Sequence, residues 1–159
     1  MKKTIRNLRE VQRVLSDPSV FPTIKDDYRE EVHGAARELL AREDAIVLMP
    51  NEDTIVTFYV LNASLVSMHI CCIQGEYRKQ IGKYVIDAMD YLFSRATTVN
   101  KMIAMIPECN RLPRLLAGSM GMDKEGLITE GFKRDGKYHD IHIFGTTRDK
   151  FYNKYKDRR

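Results

Sequence analysis

Residues 64–73 alternate as a strand, residues 75–96 carry apolar side chains at helical spacing, and residues 101–106 form a second short apolar run. Two strands joined through a helix lie parallel, because the crossover returns the chain to the end where the first strand began. The helical stretch shows its period through Ile81, Val85, Ala88, Met89 and Leu92. The run after it reads Met-Ile-Ala-Met-Ile over 102–106, which predicts a strand buried on both faces.

The segments on either side predict antiparallel neighbours. Residues 45–49 and 54–61 are strand-like, and Pro50, Asn51, Glu52 and Asp53 between them have hairpin chemistry. Asn62 and Ala63 turn the chain into the third strand. Downstream, residues 110–120 predict a short helix ending at Gly121, and 126–133 with 137–146 form a hairpin about Asp135-Gly136. Two helices precede all this. Residues 4–16 carry Ile5, Leu8, Val11, Val14 and Leu15 at helical spacing and stop at Ser16-Asp17-Pro18. Residues 27–42 carry Val32, Ala35, Ala36, Leu39 and Leu40 on one side. The expected class is α/β with a mixed sheet, in the order α-α-β-β-β-α-β-α-β-β. Residues 1–147 make a single domain, and 148–159 a basic-aromatic tail.

Charge places that tail apart. The chain carries +4, and residues 148–159 hold six Lys/Arg against two Asp/Glu, so the rest of the chain is balanced. Phe151, Tyr152 and Tyr155 interleave with those basic residues. Such a segment suits a protein partner in an assembly, or less well nucleic acid. It equally suits a short terminal helix packing its aromatics on the domain, or a solvated end. No stretch approaches the roughly 20 apolar residues of a membrane span, and no apolar segment follows the basic start, so neither a membrane nor a secretory route is expected. Three cysteines, two of them adjacent at 71 and 72, form neither a disulfide framework nor a zinc spacing, which suits a cytoplasmic protein.

This order of elements resembles that of the GNAT acetyltransferases, and three local strings strengthen the likeness. Glu76-Tyr77-Arg78, leading into the long helix, looks like the strand-to-helix loop that binds the coenzyme A pyrophosphate in that family. Pro107-Glu108-Cys109-Asn110-Arg111, then a helix, then Gly121-Met122, is similar to the family's Asn, helix, Gly-Phe pattern. Lys124-Glu125-Gly126 with Arg134-Asp135-Gly136 and Asp140 resembles the final hairpin. The likeness covers residues 45–148 and is nearest to a phage-encoded GNAT-like group. Some members of that group are described as head-assembly or internal virion proteins, so virion association is a second expectation beside the cytoplasm.

The resemblance implies acetyl-CoA as cofactor and no metal. It places the pyrophosphate at Arg78, Lys79, Gln80, Ile81, Gly82 and Lys83, where a helix start offers unpaired N–H groups and positive potential. Read without a gap, Ile81 and Lys83 stand where the family carries small residues; a one-residue deletion would instead place Gln80 and Gly82 there, and either way the loop departs from its pattern. The pantetheine arm would add to the third strand near Cys71, Cys72 and Ile73 as an extra strand, and Asn110 would lie close by. His69 is the candidate general base by side-chain type and position, with Glu76 second. A Tyr general acid of the family falls at Ala117, which can donate no proton. On the last strand, Asp140 and His142 share a face, but no third metal ligand is evident beside them. Three functions follow: transfer of an acetyl group from acetyl-CoA to a primary amine, a non-catalytic assembly protein that keeps the fold, or a binding module that holds coenzyme A or another anion without turning it over.

Overall fold

A six-stranded sheet in the order β1-β2-β3-β4-β6-β5 forms the centre of the chain. The computed structural model describes residues 7–28, 34–75 and 79–158. The elements are α1 (Leu8–Leu15), α2 (Phe21–Ile24), α3 (Ala35–Ala41), β1 (Ala45–Asn51), β2 (Thr54–Asn62), β3 (Leu65–Cys72), α4 (Ile81–Arg95), β4 (Lys101–Pro107), α5 (Arg111–Ser119), β5 (Asp123–Arg134), β6 (Lys137–Thr147) and α6 (Arg148–Lys154). The β3–α4–β4 unit is the expected crossover, and its strands pair parallel. All other neighbouring pairs are antiparallel.

Alternation along the strands builds two cores. Leu48, Val56, Phe58, Val66, Met68, Met102, Ala104 and Ile106 point to one face, where Val85, Ala88, Met89, Leu92 and Phe93 of α4 cover them. Val47, Met49 and Ile55 point to the other, under Val11, Val14 and Leu15 of α1 and Ala36 of α3. The second core reaches only β1, β2 and the end of β3. The expectation that β4 is buried on both faces is therefore corrected. Met102, Ala104 and Ile106 are buried, but Ile103 is half-buried and Met105 is exposed. Alternation, rather than a continuous apolar run, describes this strand.

Several boundaries shift for local reasons. Strand β1 runs on through Pro50 and Asn51, so the turn narrows to Glu52 and Asp53. Pro50 is tolerated because β1 is an edge strand. The helix expected over 27–42 is described only as Ala35–Ala41, entered from Gly34 at φ +82°. Its residues 29–33 lie outside the described residues, as do residues 4–6 of the first helix. Helix α1 is capped by Asn7, whose side chain accepts from the Arg9 and Glu10 amides. Helix α5 ends as the sequence suggests. Gly121 takes φ +85°, its N–H reaches Gly118 O, and Met122 N–H reaches Ala117 O. That pair of bonds is a Schellman motif, and the left-handed residue between them favours glycine.

Residues 148–159 take the packed alternative. Thr147 caps α6 by accepting from Lys150 N–H at 3.2 Å. Phe151 and Tyr152 are buried in the larger core, with Phe151 tilted 5.5 Å from Phe93. The basic residues serve the same packing. The Arg148 guanidinium donates to the Ala96 and Val99 carbonyls, closing the end of α4. Lys154 donates to Ser119 O at 2.8 Å, closing the end of α5. These contacts answer the carbonyls that a helix C-terminus leaves without partners.

Candidate functional site

The parallel pairing of β3 with β4 is short. It runs from Leu65↔Lys101 through Val66↔Met102 to Ser67↔Ile103. Beyond that point each strand stays attached on its outer side. Met68 to Cys72 remain paired with β2, and Ala104 to Pro107 remain paired with β6. The two strands therefore diverge toward their carboxyl ends. Each turns one edge of backbone N–H and C=O groups into the opening, as an edge strand does toward an added strand.

The two sides of this opening differ in chemistry. On the α4/α5 side lie Met68, Ile70, Ala104 and Ile106, all in or against the apolar core. Ile81 and Leu116 cover them, and a methyl placed on Gly82 would sit 3.9 Å from Leu116 Cδ1. On the opposite side β3 presents Ser67 and His69, flanked on β2 by Thr57 and Tyr59. The His69 ring meets Tyr59 edge-on at 5.1 Å, and the Arg42 guanidinium lies 4.7 Å over the Tyr59 ring. Asp44 holds Arg42 in place by two charge-assisted bonds, at 2.9 and 2.6 Å. Atoms crowding the imidazole, and then the nearby Arg42 charge, lower the His69 pKa from its ordinary value, although the residue is exposed at the surface of the sheet. At neutral pH the ring is therefore uncharged and able to accept a proton.

Other candidate residues fall into different settings. Burial, then the neighbouring Cys72, pushes the Cys71 thiol up to about 12, so it stays protonated and is no nucleophile. Cys72 Sγ accepts from Thr54 Oγ1 at 3.4 Å. The Ile73 N–H donates to Asp53 O at 2.9 Å, which commits that amide to the β1–β2 turn. Glu76 and Arg78 lie outside the described residues. Lys79 and Gln80 are exposed just before α4, and Gln80 is its N-cap without a side-chain bond. Ile81 and Gly82 form the first turn beside α5. Lys83 is exposed and lines a groove of about 460 Å³ on the outer flank of α4 with Tyr84, Asp87, Tyr91 and Pro50. Ala117 is 2% exposed and faces the core, so that position contributes no polar group.

Asn110 has a structural task that the sequence hid. Its Nδ2 donates to Thr23 O at 3.2 Å, and its Oδ1 accepts from Arg134 Nη1 at 3.1 Å. Arg134 also donates to Thr23 O at 3.0 Å and Lys25 O at 3.1 Å. The Asp27 carboxylate accepts from the Asp135 and Gly136 amides at 2.7 and 3.0 Å. At the other end, Ser19 Oγ accepts from Gln74 N–H at 3.0 Å, just past β3. Residues 19–27 are thus strapped from the end of β3 to the β5–β6 turn, past the carboxyl end of β4. The signal was present as paired strings, the Asp26-Asp27 and Arg134-Asp135-Gly136 segments, but nothing in either string names the other as its partner. Asp140, considered with His142 for metal binding, accepts from the Glu130 N–H at 2.8 Å where β5 bulges.

No protein-family model matches the chain, and no curated protein does. Solved structures do. Mutant forms of the spermidine/spermine N-acetyltransferase SpeG from Vibrio cholerae superpose with a TM-score of 0.75 at 15% identity, over 97% of this chain and 96% of that one. A chimera of that enzyme with hSSAT gives 0.75 at 15%, over 96% of both chains. A structure provisionally named a phosphinothricin N-acetyltransferase gives 0.69 at 15%, over 89% and 93%. Likeness at this identity shows the fold: the chain has the GNAT architecture, through almost its whole length.

Proposed function

We propose that this protein binds acetyl-CoA in the opening between β3 and β4 and transfers the acetyl group to a primary amine. The observation that carries the proposal is the end of parallel pairing at Ser67↔Ile103 while the outer ladders continue. An extended pantetheine arm is a chain of amides, which suits two divergent backbone edges. The pyrophosphate would lie at the start of α4, on N–H groups of Ile81, Gly82 and Lys83 and near Lys79. One of the fold neighbours is named a spermidine/spermine N-acetyltransferase, which supports an amine acceptor. The amine nitrogen attacks the thioester carbonyl, the N–C bond forms and the C–S bond breaks. The amine proton passes to neutral His69 or to water, and the thiolate leaves and takes a proton from solvent, since Ala117 offers none.

Titration with acetyl-CoA, by calorimetry and by melting temperature in parallel, tests this. A ligand held only by the native state stabilises it by about 2.7 kcal/mol at a hundredfold excess over its dissociation constant. In a domain of this size that is a rise of roughly 5–10 °C. A flat titration at millimolar cofactor would remove the reading. It would leave the second one, a non-catalytic assembly scaffold with the GNAT fold, which the buried methyl at Ala117 favours.

The state of His69 has its own test. Its folded pKa lies below the unfolded value of about 6.5, so the native state binds fewer protons than the unfolded chain in the window beneath 6.5. His69 therefore lowers stability as pH falls through that window and has no effect above it. Urea midpoints at pH 7.5 and 5.5 should fall less for His69→Gln than for the natural chain. Equal falls would mean the ring titrates normally.

A further inference from the structure

We propose that the hydroxyl of Ser67 is the contact for the acyl end of the bound thioester, a role that rests on the acetyl-CoA reading above. Ser67 is the last residue of β3 paired with β4, so it marks the apex of the opening. Its side chain is 4% exposed, and its Oγ has no hydrogen-bond partner among the described residues. Two other buried polar atoms share that condition, Asn51 Nδ2 and Arg114 Nε. Both belong to side chains anchored through a second atom: Asn51 Oδ1 accepts from Asp53 N–H, and Arg114 Nη2 donates to Glu108 O. Ser67 has only the one polar atom. An orphaned buried hydroxyl destabilises a fold, because it has left water and gained nothing in return. Alanine would pack in its place at no such cost.

Position and reach select the ligand group. A cofactor held by its pyrophosphate at the start of α4 enters past Cys72 and runs back along β3. The five residues from Met68 to Cys72 cover about 16 Å of extended strand. That is a stretch of extended backbone along which the arm of coenzyme A can pair. The group delivered to the apex is then the acyl carbonyl. A serine hydroxyl offers one donor, which matches that oxygen. At the apex Tyr59 stands opposite Ser67 on the β2 ladder and Ile103 opposite it on β4.

Calorimetric titration with CoA and with acetyl-CoA, on the natural chain and on Ser67→Ala, tests the assignment. The natural chain should bind acetyl-CoA more tightly than CoA. Ser67→Ala should narrow that preference by roughly three- to tenfold, the size of one net hydrogen bond. Its affinity for CoA should be unchanged, and its melting temperature without ligand equal or higher. An unaltered preference would overturn the proposal, as would equal loss for both ligands. A lower melting temperature would show that the hydroxyl serves the fold, and would also overturn it. If the natural chain binds neither ligand, the acetyl-CoA reading itself falls. That outcome is distinct from a chain that binds both but ignores the change at Ser67.

Discussion

Replacing Phe151 with alanine is expected to cost about 3–5 kcal/mol, as truncating a buried Phe commonly does. Phe151 is 2% exposed and meets Phe93 at 5.5 Å, Tyr152 at 5.2 Å and Tyr155 at 5.1 Å. Its removal leaves a cavity between α4 and α6 that these rings cannot all collapse into. A domain is stable by only about 5–15 kcal/mol, so the change takes a large share of the whole. A urea denaturation curve should show the midpoint fall with its slope unchanged. Lys156→Gln, at an exposed position in the same segment, should stay within about 0.5 kcal/mol. If residues 148–159 were a docking tail independent of the domain, both substitutions would leave the midpoint where it was.

That contrast shows what composition hides. The segment reads as a basic tail because six of its residues are Lys or Arg. Yet Arg148 and Lys154 spend their charge on the carbonyls that end α4 and α5. Local period carried most of the fold. The crossover and the two hairpins follow from runs of apolar spacing and turn residues, and the strands they predict pair in the expected directions. Extent of cover was not legible: whether β4 is buried on one face or two depends on how far α1 and α3 reach across the sheet. The opening was legible only through the resemblance, which implies an arm added to the third strand as an extra strand. Nothing in residues 64–73 or 101–106 states that pairing stops after three residues, because divergence is a property of the twisted sheet and not of one strand. His69 could be named from its place on β3, but its lowered pKa comes from the atoms crowding it and then from the Arg42 charge, which the strand's own residues do not show. Ser67 drew no notice, since an orphaned hydroxyl exists only once its neighbours are in place.

Reversing charge at the start of α4 is expected to have the largest effect on cofactor binding. Under the proposed pyrophosphate contact, Lys79→Glu with Lys83→Glu should weaken acetyl-CoA by a hundredfold or more. Each charged hydrogen bond is worth roughly 1.5–3 kcal/mol, and the new carboxylates repel the phosphates as well. Stability without ligand should not fall, because both lysines are exposed and acidic residues suit a helix N-terminus. Loss of binding with an intact fold isolates the electrostatic contact. Gly82→Ala then separates charge from close approach. Within α4 the added methyl has room, with Leu116 Cδ1 at 3.9 Å, and alanine favours the helix by roughly 0.4–1 kcal/mol. The apo protein should therefore melt higher. If the phosphates sit against the first turn, the same methyl occupies their approach and affinity should drop by about tenfold, against the direction of the stability change. Opposite signs from one substitution would place the ligand on that turn. A variant that is both more stable and fully competent to bind would put the pyrophosphate elsewhere, and the groove beside Lys83 would become the place to search.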